Sequence, residues 1–264
     1  MFGIEAIQPF GVQIRSGSWD SELTEIPSDR LSSLLQKNKL ALFRGFRPMD
    51  RESFLDFTRG HLGSSLGMST LDWDFGPVNE LKEQPNAKNY LFSSEKVPYH
   101  WDGAFYKVPH YLVFYCVEAP PPGAGGETLF CDTQRIWEKA DDSRRKTWSQ
   151  IQLSYETEKL AHYGGTFTSP LVQSYPGNGD SILRFAEEVR SSLNPVSLNI
   201  DGIPDEDKES FVNDMIERIY SPEFAYHHEW KVHDLLIADN HALLHGRAAY
   251  TKDCPRHLRR IQLI

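Results

Sequence analysis

The 264-residue chain carries 39% hydrophobic and 25% charged side chains with 15 Phe, 11 Tyr and 6 Trp, a composition that excludes a disordered segment or a disulfide-stapled miniprotein. A formal net charge of −9 excludes a polyanionic partner such as nucleic acid, because binding one needs a basic face, while leaving room for a small cationic pocket. Three cysteines, Cys116, Cys131 and Cys254, have no C-x-x-C spacing and predict neither a disulfide framework nor a thiolate zinc site. Glu5 interrupts what a secretory leader would need as an apolar run, and no stretch has the apolar length of a membrane span, so the expectation is a cytoplasmic protein with no membrane partner. No repeat or linker divides the sequence, which is read as one domain over 1–264.

In chain order, a first helix is expected from Ser28 as N-cap, with Leu31, Leu34 and Leu35 on one face, and a second from near Asp50 with Phe54, Phe57 and His61. KLALFRGF between them reads as a strand. After Trp101 the chain turns to β-runs: YLVFYCVEA (111–119), ETLFCD (127–132), DLLIAD (234–239) and HLRRIQLI at the end. Helical insertions are expected from Asp132 or Thr133 through RIWEKA and over 206–219, where Phe211, Met215, Ile216 and Ile219 share a face. This pattern predicts a mainly β fold of two facing sheets, a jelly roll with peripheral helices, rather than a βαβ array. The glycine-rich PPPGAGGET (120–128) lacks phosphate-loop spacing and reads as a plain β-connection.

Of the ten histidines, His61, His162, His227 and His228 read as surface or packing residues. VPYHWDGAF is different. In an extended strand His100 and Asp102 project to the same side about 6.5–7 Å apart, which sets an imidazole and a carboxylate over one point. A third ligand is needed, and the best candidate is His245 in DNHALLHGRAAY. Arg256 and Arg260 follow, four residues apart and so on one face of a strand. Turned inward beside a metal they require an anion between them, which a dicarboxylate would supply; on an exposed edge they would simply be solvated. A zinc hydrolase using His241 and His245 lacks the H-E-x-x-H glutamate, because Ala242 follows His241. A non-catalytic jelly-roll binding module would need neither the His/Asp/His set nor Arg256.

Taken together, IQPFGVQI, ALFRGF, HWDG, GGETLFCD, DLLIADNHALLHGRAAY and RHLRR resemble, in order, the taurine dioxygenase/TfdA-type family of iron(II)- and 2-oxoglutarate-dependent oxygenases. The resemblance implies a double-stranded β-helix (cupin-like) fold, with His100, Asp102 and His245 as both catalytic and iron-ligating residues. It further implies that Arg256 and Thr128 hold the distal carboxylate of 2-oxoglutarate and that Arg260 lies near its metal-bound end and the substrate's acid group. O2 would then be reduced with loss of carbon dioxide from 2-oxoglutarate, and a substrate C–H bond oxidised. A carboxylate at position 102, rather than a small residue, argues against halogenation.

Within the family, HWDG and the chain length look most like oxygenases of isonitrile biosynthesis in secondary metabolism, which act on an isonitrile derived from an aromatic amino acid by desaturation, hydroxylation or decarboxylation. Lys96, where taurine-type members usually carry Asn, speaks against the alternative of taurine or another sulfonate; another amino acid is the remaining alternative. His233, where Gly is common, reads as structural. The expected substrate is a small anion, met by Arg260 with Lys96 or Arg184, with Trp101 and Phe105 lining a ring pocket; the family suggests a homo-oligomer.

Overall fold

The protein is described from a computed structural model, over residues 2–160 and 163–264. His162 lies outside the described residues. The strands in chain order are β1 (Gly3–Ala6), β2 (Val12–Arg15), β3 (Leu40–Arg44), β4 (Asn79–Lys82), β5 (Val97–His100), β6 (Tyr111–Glu118), β7 (Thr128–Asp132), β8 (Gln152–Leu160), β9 (Tyr163–Pro170), β10 (Val172–Ser174), β11 (Ser181–Leu183), β12 (Ser197–Asp201), β13 (Ala225–His228), β14 (Leu235–Asp239), β15 (Leu243–Arg247) and β16 (His257–Leu263). A seven-stranded sheet runs β1-β2-β3-β14-β6-β16-β4 and a four-stranded sheet β13-β7-β15-β5; β12-β8-β9 and β10-β11 form two smaller ones. The helices are few and lie outside the two main sheets, so the architecture is mixed, with several sheets dominating.

β6 explains the layering. Its run YLVFYCVE is buried along most of its length, as expected for a strand covered on both faces. Tyr111, Val113 and Tyr115 alternate into one core with Leu31, Leu35 and Phe54, whereas Leu112, Phe114 and Cys116 alternate into another. That second core also takes Leu236 of β14, Leu258 of β16, Phe130 of β7 and Leu243 of β15, so it is the layer where the two large sheets face each other. Beyond the four-stranded sheet a third core gathers Tyr99, Leu129, Cys131 and Leu244 with Tyr155 of β8 and with Met215 and Ile219 of the helix Asp205–Tyr220.

The helix Ser28–Asn38 lies between β2 and β3, the one parallel pair among the described strands of the large sheet, and supplies the crossover that parallel strands require. Its N-cap is Pro27, not Ser28: the Pro27 carbonyl accepts from Leu31 N at 2.9 Å, and no side chain caps the helix. Asp50 and Asp132 cap their helices as expected, each side chain accepting from a backbone N–H three residues on. His233 has φ +71°, the left-handed conformation in which Gly is at ease, and its ring is held by the Tyr115 hydroxyl at 2.9 Å. The structural reading of that position stands. Among the described residues no helix is long and apolar enough to cross a membrane.

A buried charged cluster backs the large sheet: Arg44 clasps Asp234 through two bonds of 2.7 and 2.5 Å, and His228 Nε2 lies 3.3 Å from the same carboxylate. Burial pushes the His228 imidazole below its usual range despite Asp234, and burial together with Arg184 pushes His241 down to about 3. A histidine whose folded pKa is depressed is protonated more readily in the unfolded chain. Its contribution is therefore complete above about pH 6.5 and is lost as pH falls through the window below. Stability should hold from pH 7.5 to about pH 6.5 and then decline towards pH 5 by on the order of 1 kcal/mol or more, lowering the melting temperature over that lower part of the range. Thermal unfolding across that range checks this; a flat profile would mean both imidazoles titrate normally.

Candidate active site

The two imidazoles meet because β5 and β15 are paired with His245 directly opposite His100, the ring centroids lying 4.2 Å apart. Tyr99 turns into the outer core, so His100 must turn into the layer between the large sheets. Its Nδ1 lies 2.9 Å from the Pro98 carbonyl, which can only accept; Nδ1 therefore carries the proton and Nε2 presents a lone pair. β5 ends at His100, so Asp102 does not project from a strand as the spacing suggested: it sits in the following turn. Asn240 holds it there, accepting from Asp102 N at 2.9 Å and donating to its carbonyl at 3.1 Å and to that of Pro109 at 2.9 Å.

Asp102 Oδ1 is 3.6 Å from Nε2 of His100 and 3.6 Å from Nε2 of His245, and one ligand atom of each residue falls within 4.8 Å of the others. Burial alone would raise the Asp102 carboxyl, but Arg260 and the two imidazoles outweigh it and hold the group well below the usual carboxylate range. His245 is buried, its pKa pushed down to about 4 by burial and then by His100, and neither ring nitrogen has a hydrogen-bond partner. Leaving such groups unsatisfied is costly unless something binds them. Two imidazoles and one carboxylate on one side of a point are the donor set of a non-haem iron(II) centre, so the residues fit that ion.

A second arm lies against the triad. Arg256, buried just before β16, donates from Nε to the Gly126 carbonyl at 2.8 Å and from Nη2 towards Thr128 Oγ1 at 3.4 Å; that hydroxyl also accepts from Trp230 Nε1 at 2.9 Å. A Cβ on Gly126 would lie 3.0 Å from Arg256 Cδ, so the glycine-rich connection leaves space for the guanidinium rather than cradling a phosphate. Burial, then Arg247, pushes Arg256 down to about 9, and no carboxylate among the described residues pairs with it. It lines a pocket with Thr128, His100, His245 and Arg260. A buried guanidinium open to such a pocket is a receptor for an anion. Arg260 therefore faces inward, as does Arg256, and its Nη1 lies 2.8 Å from Asp102 Oδ2.

Trp101 and Phe105 line a separate cavity of about 170 Å³ that opens on His100 and Asp102 and is walled also by Tyr90, Tyr155 and Val196. Lys96 and Arg184 do not line it. Lys96 is drawn outward to Glu187 at 3.3 Å and over the Tyr220 ring, and Arg184 lies over the Trp101 ring, spent on the Asn240 carbonyl at 2.7 Å and His241 Nδ1 at 2.8 Å. His241, so engaged, does not join His245 in a donor cluster. His61 is bonded to the Ile26 carbonyl and His227 is exposed, as expected of bystanders. Sequence reasoning passed over Asn240, Trp230, Gln262 and Arg247, the last of which ties down the approach to β5 through the carbonyls of Leu91, Ser93 and Glu95.

The family described as "Taurine catabolism dioxygenase TauD, TfdA family" matches residues 4–262. The chain belongs to that family. It is 39% identical to the 3-((Z)-2-isocyanoethenyl)-1H-indole synthase of Fischerella ambigua, over 100% of this chain and 96% of that protein. It is 35% identical to the tyrosine isonitrile desaturase of Pseudomonas aeruginosa, over 96% and 87%. Among solved structures it is similar to PvcB of Pseudomonas aeruginosa with a TM-score of 0.82 and 31% identity, covering 99% of this chain and 91% of that one. Family membership and the His/Asp/His constellation make the TauD/TfdA-type chain an iron(II)- and 2-oxoglutarate-dependent dioxygenase.

Proposed function

We propose that this TauD/TfdA-type oxygenase acts on a small carboxylate-bearing isonitrile derived from an aromatic amino acid and introduces a double bond into its side chain. In this reading His100, Asp102 and His245 hold iron(II), Arg256 and Thr128 grip the distal carboxylate of 2-oxoglutarate, and Arg260 lies towards its keto-acid end and the substrate's acid group. The bound iron and 2-oxoglutarate supply O2 activation, with succinate and carbon dioxide as coproducts. The chain's own part is placement: Trp101, Phe105, Tyr90 and Tyr155 enclose a ring beside the ligands and exclude water from the reacting carbon.

The observation that carries the substrate class is that aromatic cavity, which opens on two ligands and suits a ring far better than a compact sulfonate such as taurine. The two relatives add that their names describe an isonitrile desaturase and the synthase of an isocyanoethenyl product. We also read 1–264 as one domain, the two facing sheets as a double-stranded β-helix, and the three free thiols as fitting a cytoplasmic protein.

The test supplies iron(II), 2-oxoglutarate and O2 with tyrosine isonitrile, tryptophan isonitrile, free tyrosine or taurine, and measures succinate formed per substrate consumed. One-to-one coupling with an aromatic isonitrile and an unsaturated product is expected. Coupled turnover of taurine alone would overturn the substrate class.

A further inference from the structure

The two oxygens of Asp102 have different surroundings. Oδ1 faces both imidazole Nε2 atoms at 3.6 Å, whereas Oδ2 accepts from Gln262 Nε2 at 2.5 Å and from Arg260 Nη1 at 2.8 Å. Gln262 is buried in β16. A primary amide can turn either its oxygen or its NH2 to a neighbour, and the oxygen turned towards Asp102 would repel it. Trp73 decides the orientation. Its indole N–H is a donor only, and it lies 2.8 Å from Gln262 Oε1. With its oxygen engaged by that donor, the amide has to present NH2 to the carboxylate. Trp73 is itself fixed by rings on two loops, stacking on Phe75 at 6.2 Å with 8° between planes and meeting Tyr106 at 5.6 Å. Tyr106 belongs to the loop that follows Asp102.

We propose that Gln262 is a positioning residue for Asp102, and that Trp73 sets the orientation of its amide so that Oδ1 and not Oδ2 is turned to the two imidazoles. The inference rests on the reading of His100, Asp102 and His245 as the metal ligands. Arg260 shares Oδ2, but it also lines the pocket with Thr128 and Arg256, where a bound anion competes for its guanidinium. Both hydrogen-bonding ends of the Gln262 amide, by contrast, are occupied within the Trp73–Asp102 chain. Hydrogen-bond partners of this kind govern ligand basicity and aim, and losing one lowers metal affinity by about 10–100-fold.

The experiment titrates cobalt(II), without oxygen, into metal-free full-length wild type, Gln262→Leu, Trp73→Phe and the double variant, following affinity and the cobalt absorption bands. Gln262→Leu should bind about 10–100-fold more weakly, with shifted bands as the freed carboxylate changes its approach. Trp73→Phe keeps an aromatic ring beside Phe75 and Tyr106 but removes the indole N–H together with part of the bicycle, so a smaller loss in the same direction is expected. The double variant should be no weaker than Gln262→Leu, because Trp73 acts only through the amide. Wild-type affinity and unchanged bands in folded Gln262→Leu would overturn the proposal. Should that variant fail to fold, Trp73→Phe decides alone: unchanged affinity and bands overturn the proposal, and a loss with shifted bands supports it. Wild type that takes up no cobalt would overturn the metal-site reading instead.

Discussion

Replacing His100 or His245 by alanine should abolish succinate production and stoichiometric iron(II) binding while leaving the metal-free fold intact. Both side chains sit at a cross-strand position of a packed sheet whose other residues, Leu243, Leu244, Phe130 and Tyr99, fill cores on its two faces. Truncating His245 removes a buried ring and so opens a cavity, but it also removes two nitrogens that have no partner in the metal-free chain. The cavity costs about 2–5 kcal/mol, and the relief of unsatisfied polar atoms returns about 1–3 kcal/mol, so the two largely offset each other. The melting temperature of metal-free His245→Ala should therefore stay within a few degrees of metal-free wild type. Asp102→Ala is the poorer probe. It strips Arg260 and Gln262 of their acceptor, and an uncompensated buried guanidinium costs about 3–5 kcal/mol, so loss of fold would be confused with loss of metal. Metal content, circular dichroism and oxygen-dependent succinate release on the two histidine variants check the expectation. Retained iron in His245→Ala would remove it from the ligand set. If instead the stripped wild type proves unfolded, the ion is structural.

What local pattern could reveal, the sequence revealed. The H-x-D spacing, the distant HxxxH segment and the paired arginines concern residue types whose chemistry is visible without a fold, and β6 announces itself as a continuous apolar run. The same-side argument for His100 and Asp102 reached the right pairing by the wrong backbone, because β5 stops at His100 and Asn240 rather than strand geometry aims the carboxylate. Asn240 acts on Asp102 across 138 residues, Gln262 across 160 and Trp230 on Thr128 across 102; a hydrogen bond of that reach has no local signature. Lys96 and Arg184 were judged by charge alone, and a charge is drawn to whichever partner the fold sets nearest, here Glu187 and the Asn240 carbonyl. The sheet β12-β8-β9 went unnoticed although β8 alternates buried Leu153, Tyr155 and Thr157 with more exposed Ser154 and Glu156. Its polar alternate residues dilute the apolar run by which the other strands were found, and period two was the signal to follow.

Arg256→Ala should weaken 2-oxoglutarate binding to the iron(II) enzyme by about 2–5 kcal/mol, the range for deleting one partner of a buried, hydrogen-bonded charge pair. Thr128→Ala should cost about 1 kcal/mol, since one hydroxyl hydrogen bond is lost. The size of the difference follows from burial: Arg256 has no carboxylate partner among the described residues, so the free chain already bears the cost of its desolvation, and an arriving dicarboxylate repays it. For the same reason Arg256→Ala should change the melting temperature little without cosubstrate, but should erase the rise that saturating 2-oxoglutarate gives wild type by mass action. Anaerobic titration of 2-oxoglutarate into wild type, Arg256→Ala and Thr128→Ala, followed by the absorption of the iron(II) complex, measures these affinities. Unchanged affinity in the variant would hand the distal carboxylate to another cation, with Arg260 the first to examine because it lines the same pocket.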